Sequence, residues 1–118
     1  MILIGWVLLV ISFAVIQGLA PKRGDYPNLE TRLYKLSISP DPAKYAATHG
    51  IYYAEGRVRV VIELADEGVT IPESYHIQVE DRYKNFIQAL VPVKVLRPLS
   101  NEPGVKSVRL PWEVIKYN

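Results

Sequence analysis

The stretch Phe86–Leu110, FIQALVPVKVLRPLSNEPGVKSVRL, decides how this chain folds. Phe86 to Val91 is apolar and partly β-branched, as a buried strand is, and Pro92 closes it. Leu96 and Leu99 then fall on one face of a short helix. Pro103-Gly104 stops that helix, and Val105 to Leu110 resumes an extended pattern. A strand–helix–strand return of this kind places its two strands parallel in one sheet, with a right-handed crossover. Pro98 falls inside the short helix and is expected to kink it, because proline has no N–H to donate.

Upstream, Ser74 to Arg82 alternates, which points Tyr75, Ile77 and Val79 inward and His76, Gln78 and Glu80 outward. Tyr83-Lys84-Asn85 makes a tight connection into the strand at Phe86. Ala65 to Glu73 holds Gly68, Thr70 and Pro72 in too short a run for a helix and reads as a loop. Ile51 to Leu64 (IYYAEGRVRVVIEL) reads as a hairpin turning at Glu55-Gly56. In its second arm Val58, Val60, Ile62 and Leu64 share one face, opposite Arg57, Arg59 and Glu63.

Further upstream, Asp41-Pro42 is a helix start, with Asp as cap and Pro at the first helical position. Ala43 to His49 follows as helix, and Gly50 supplies a left-handed stop. Asn28 is expected to cap another short helix with Leu29, Leu33 and Leu36 along one face. The fold class that results is α+β: an N-terminal hydrophobic helix, then a small antiparallel or mixed sheet with a ferredoxin-like β-α-β crossover. Pro111 ends the last strand and Trp112 to Asn118 forms a tail.

Met1 to Ala20 carries no charged side chain, and all 14 basic and 12 acidic residues lie after Pro21. A helix of this length spans about 30 Å, the thickness of a bilayer's hydrocarbon core. Residues 1–20 therefore read as a transmembrane anchor or a signal segment. Pro21 in the first mature position disfavours cleavage, so an uncleaved anchor is expected. Lys22 and Arg23 immediately after the segment would by charge alone hold that end in the cytoplasm. Pro21 to Pro27 reads as a linker, and Asn28 to Asn118 as one α+β domain.

Composition removes several function classes. The net charge is only +2, with both signs interleaved, and no basic stripe for nucleic acid is visible. No cysteine is present, so disulfides, thiolate metal sites and cysteine nucleophiles are excluded. The two histidines, His49 and His76, fall on different elements without a metal-ligand spacing. The glycines form no phosphate-binding spacing. Glu80 and Asp81, adjacent on a strand, are expected to point to opposite faces. No catalytic, cofactor-binding or metal-binding residue is assigned, and the chain is not expected to be an enzyme.

Eight tyrosines are many for 118 residues, and Tyr52-Tyr53 stands out among them. On a strand one of that pair faces outward, either as an aromatic contact surface or through the sheet-edge propensity of tyrosine alone. Tyr52, Tyr53 and Trp112 are the candidate protein-binding residues, since aromatic side chains dominate binding hot spots.

The run Gln88-Ala89-Leu90-Val91-Pro92 with Leu96, Leu99, Pro103-Gly104-Val105 and Val108 resembles the propeptide domains of subtilisin-type serine proteases. With Ala46, His49-Gly50-Ile51, Tyr53, Gly56 and Val58 to Leu64 added, it looks still more like a domain of uncharacterised surface proteins of thermophilic archaea. The resemblance covers roughly residues 29–111. It departs from the propeptide pattern at Ala65 to Glu73, where those domains carry a helix. It implies a propeptide-like sheet, an extracytoplasmic position, and a segment after the last strand, Pro111 to Asn118, that can lie in a protease cleft. The expected function is a membrane-tethered extracytoplasmic protein-binding module without catalysis. The alternative is an accessory single-span subunit of a membrane protein complex. The expected partners are the membrane, through residues 1–20, and another protein, a protease or a membrane-complex subunit.

Overall fold

The structure of the protein, a computed structural model, describes residues 21–112. The expected anchor or signal segment, residues 1–20, and the tail beyond Trp112 lie outside the described residues. Among the described residues no helix is long and apolar enough to cross a membrane. The described residues form an α+β domain, with three short helices and a five-stranded antiparallel sheet.

Two helices come first, α1 (Thr31–Ile38) and α2 (Pro42–Thr48). The strands are β1 (Tyr53–Ala54), β2 (Arg57–Leu64), β3 (Gln78–Tyr83), β4 (Phe86–Pro92) and β5 (Val105–Arg109), and α3 (Leu96–Ser100) lies between the last two. Alternation makes β2 the centre of the sheet: Val58, Val60, Ile62 and Leu64 are fully buried, and the residues between them are not. On β4 the partners Val91, Ala89 and Ile87 lie opposite Val58, Val60 and Ile62, so the two strands share one apolar face. Leu33 and Leu36 of α1 and Leu96 and Leu99 of α3 fill the same core cluster. These four fully buried leucines, at about 1.5–3 kcal/mol each, outweigh any single polar contact in the domain.

The crossover settles around β2. β4 and β5 both run antiparallel to β2 and lie on either side of it, so they are parallel to one another without being neighbours. Val91, Leu96, Leu99, Val105 and Val108 are all buried, as the sequence pattern requires. Val105 and Val108 are three residues apart, which simple alternation would put on opposite faces. A register shift in the β2–β5 ladder between Glu63 and Leu64 resets the phase and turns both inward.

Local signals hold in most places. The Asp41 side chain accepts the Lys44 N–H at 3.1 Å and Pro42 opens α2. Gly50 has φ +66° after α2, and Glu55-Gly56 turns the first hairpin with φ 54° and +77°, the left-handed pair a two-residue turn requires. The His49 ring Nδ1–H donates to the Tyr45 carbonyl at 2.8 Å, which ties it to the end of α2.

Four expectations are corrected. Asn28 does not cap α1; Glu30 stands at that position, and Asn28 instead accepts the Val108 N–H through its carbonyl. Pro98 falls in the first turn of α3, where its missing N–H has no helical partner to lose, so no kink follows. Ser74 to Ile77 is not strand. Glu73–Tyr75 is a 3₁₀ turn that His76 ends at φ 53°, and β3 begins only at Gln78. Val79, expected inward, is 51% exposed, because the Ala65–Ile77 crossing carries no helix to cover it.

The sheet's two edges differ. Along β5, Glu30 donates its N–H to the Val108 carbonyl and Leu29 bridges Val108, so the segment before α1 occupies part of that edge. β3 is the other edge, and all six of its residues are exposed. A bulge between Val79 and Asp81 and the charges of Glu80, Asp81 and Arg82 interrupt it. Such features blunt an edge against pairing with another strand.

Pro21 to Pro27, read as a linker, lies against the domain. Arg23 donates to the Tyr26 and Leu29 carbonyls, Tyr26 packs on the core, and the Tyr34 hydroxyl donates to the Pro21 carbonyl.

Candidate protein-binding groove

β1 and β5 lie on the same side of β2, at opposite ends. β1 pairs with Arg57 and Val58, and β5 with Val61 to Leu64. Neither strand reaches Arg59 and Val60 on that side. The chain entering β1 and the chain leaving β5 diverge around this interruption and leave a groove of ≈ 700 Å³. Gly50, Ile51 and Tyr52 form one bank, and Leu110, Pro111 and Trp112 the other. Arg32, Arg59, Arg109 and Glu30 supply the charge.

Both aromatic banks carry a stacked arginine. The Arg59 guanidinium lies 4.1 Å from the Tyr52 ring centroid, and that of Arg109 lies 4.2 Å from the Trp112 ring. Contacts of this kind contribute about 0.5–1 kcal/mol at exposed sites. Each ring covers its guanidinium from one side. Tyr52 is 50% exposed and Trp112 70% exposed, so both rings present apolar surface to solvent. Phe86 supports Trp112 from β4, with ring centroids 6.4 Å apart.

The two arginines are held differently. Arg59 donates through Nε and Nη2 to both carboxylate oxygens of Glu80, at 2.6 and 2.8 Å. That hydrogen bond lowers the Glu80 pKa below the ordinary glutamate range and raises that of Arg59. Arg109 has only a loose ion pair, with Nη1 3.8 Å from Glu63, and its buried Nε has no hydrogen-bond partner among the described residues. Glu30 is committed on both oxygens, to Arg32 and to the Leu110 N–H.

Tyr52 and Trp112, singled out in the sequence, thus meet in one groove. Tyr53 does not join them; it packs against the core from β1. Trp112 lies folded back over Arg109. The two arginines were legible only as outward-facing charge on β2, for Arg59, and not at all for Arg109, whose face depends on the register shift in β5. The Glu80 and Asp81 expectation is also corrected. The bulge in β3 lets both carboxylates reach the outer face, Glu80 on Arg59 and Asp81 beside Val61 and Gln88.

Among the described residues no group of three His, Cys, Asp or Glu side chains is placed to hold a metal ion. Tyr75, in the crossing between β2 and β3, donates its hydroxyl to Glu102 at 2.5 Å, which raises its pKa, with partial burial adding to the effect. That bond ties the crossing to the turn before β5 and lies away from the groove. Comparison with known proteins finds no matching family model, no similar curated protein and no similar solved structure.

Proposed function

We propose that this chain is a membrane-tethered extracytoplasmic protein-binding module, without catalysis, and that the groove between Tyr52 and Trp112 is its contact surface. The observation that carries the reading is the pairing of two exposed aromatic rings, each backed by an arginine, on the two banks of one groove. Tyrosine, tryptophan and arginine are the side chains that dominate binding energy at protein interfaces. The blunted β3 edge favours this groove over strand addition as the contact surface.

The sheet order β5–β2–β4–β3 supports a ferredoxin-like arrangement, in which β2 and β3 flank β4 while β4 and β5 flank β2. The crossing between β2 and β3 is the departure: loop and a 3₁₀ turn stand where a helix would be expected. The uncharged run of residues 1–20 supports the tether, since its length suits a bilayer.

The test is affinity capture of the full chain from native membranes in mild detergent. A partner retained by the wild-type chain should be lost from the Tyr52→Ala, Trp112→Ala double variant while that variant still melts cooperatively. Identical captured sets from both chains would overturn the groove as the contact surface.

A further inference from the structure

Charge and hydrogen-bond accounting narrow what the groove can take, given the binding-module reading on which this step rests. Its charged lining is Arg32, Arg59, Arg109 and Glu30; Glu30 offsets Arg32 and Glu80 offsets Arg59, which leaves Arg109 the least compensated cation. Both oxygens of Glu30 are engaged within the chain, by Arg32 and by the Leu110 N–H. Arg59 has Nη1 left after its two bonds to Glu80. Arg109 donates no hydrogen bond among the described residues, and its side chain is only 25% exposed. A partly buried guanidinium with unsatisfied donors is costly unless an acceptor reaches it. Glu63, at 3.8 Å, is too far to be that acceptor by hydrogen bonding.

We infer that the groove receives a carboxylate side chain on an acidic segment of a partner polypeptide, which Arg109 binds while Trp112 and Tyr52 grip the flanking chain. A carboxylate is the complement of a guanidinium whose face is covered by a ring, because it meets the N–H groups in their plane, and with Nε buried it is the terminal nitrogens of Arg109 that it meets. The remaining Nη1 of Arg59 lies on the opposite bank, so an acidic neighbour in the segment finds a second donor. An uncharged segment would leave Arg109 without a counter-charge, and a basic one would set its own cations against it. Lys94 stands away from the groove beside Pro92 and Arg57.

The experiment uses the full chain in detergent micelles with a labelled, end-blocked hexaglutamate peptide as probe, read by fluorescence anisotropy. Hexalysine and hexaserine peptides are the comparisons. Hexaglutamate should bind and the other two should not, and binding should weaken as salt is raised. Losing a charge-assisted hydrogen bond should cost Arg109→Gln about tenfold or more in affinity. Lys94→Gln should bind as the wild type does, and both variants should keep the wild-type circular dichroism spectrum. Equal binding of hexaserine or hexalysine, or an Arg109→Gln chain that binds hexaglutamate as well as the wild type, overturns the inference. A photo-cross-linking amino acid at position 52, used in native membranes, separates the two levels. A cross-linked protein joined through an acidic segment supports the inference. One joined through a basic or uncharged segment overturns it and leaves the binding module standing. Cross-linking to lipid alone, or to nothing, removes both.

Discussion

The guanidinium of Arg109 lies 4.2 Å from the ring centroid of Trp112 and 5.7 Å from that of Phe86, so Trp112 is fastened to β5 and β4. Trp112 therefore lies against the domain. The contact joins the last described residue to β4, and it gives one bank of the groove a defined wall.

That contact should be measurable as a coupling. In a double-mutant cycle with Arg109→Gln and Trp112→Ala, the two changes should be less than additive by about 0.5–1 kcal/mol. Denaturant melts of the single and double variants give the number. Strict additivity would mean that the stacking contributes nothing to stability.

The crossover helix should be the sensitive point of the core. Leu99 is fully buried between α3 and the sheet, so Leu99→Ala should destabilise the domain by about 2–5 kcal/mol. Thermal or chemical denaturation checks this. A loss below about half a kcal/mol would contradict the packing of α3, because cavity formation at such a site costs more.

Two glycines with similar backbone should respond differently to alanine. Gly56 and Gly104 both have positive φ, +77° and +88°. A Cβ at Gly56 would meet nothing within 4 Å, whereas at Gly104 it would lie 2.7 Å from Cγ1 of Val69. Gly56→Ala should cost about 1 kcal/mol from backbone strain alone. Gly104→Ala should cost more, and Val69→Ala in the same chain should recover part of the difference. Equal losses at the two glycines would show that Val69 yields freely.

The Arg59–Glu80 pair sets a direction for pH dependence. Its hydrogen bond lowers the folded-state pKa of Glu80, so the native chain binds this proton less readily than the unfolded chain does. The associated stability is present above the ordinary glutamate value of 4.5 and is lost as pH falls below it through the folded-state value. Glu80→Gln should flatten that part of the acid limb in a series of melts from neutral to acid pH. Parallel acid limbs for wild type and variant would show that the pair is screened out in solution.

Much of the fold is visible in the residues themselves, because the forces concerned act over a few positions. The alternation of β2 and β4 selects the buried face, Asp41-Pro42 and Gly50 bound α2, and Glu55-Gly56 supplies the left-handed turn. Leu96, Leu99, Val105 and Val108 mark the crossover before any contact is known. Where the reading fails, a local pattern is overridden from a distance. Ser74 to Ile77 alternates like a strand but belongs to a crossing without a helix, and Tyr75 is held there by Glu102.

The candidate groove is of the second kind. Tyr52 and Trp112 are conspicuous as aromatic residues, but nothing near either one in sequence says that they share a surface. They meet because β1 and β5 divide one side of β2 between them and both stop short of Arg59 and Val60. Strand register and bulge position follow from packing across the whole sheet, and a shift of one residue turns a side chain to the other face. The apolar pattern of the chain by itself therefore determines which face is buried and where the turns fall. Only the tertiary structure decides that Arg109 turns to the groove and that its guanidinium is left with donors to fill.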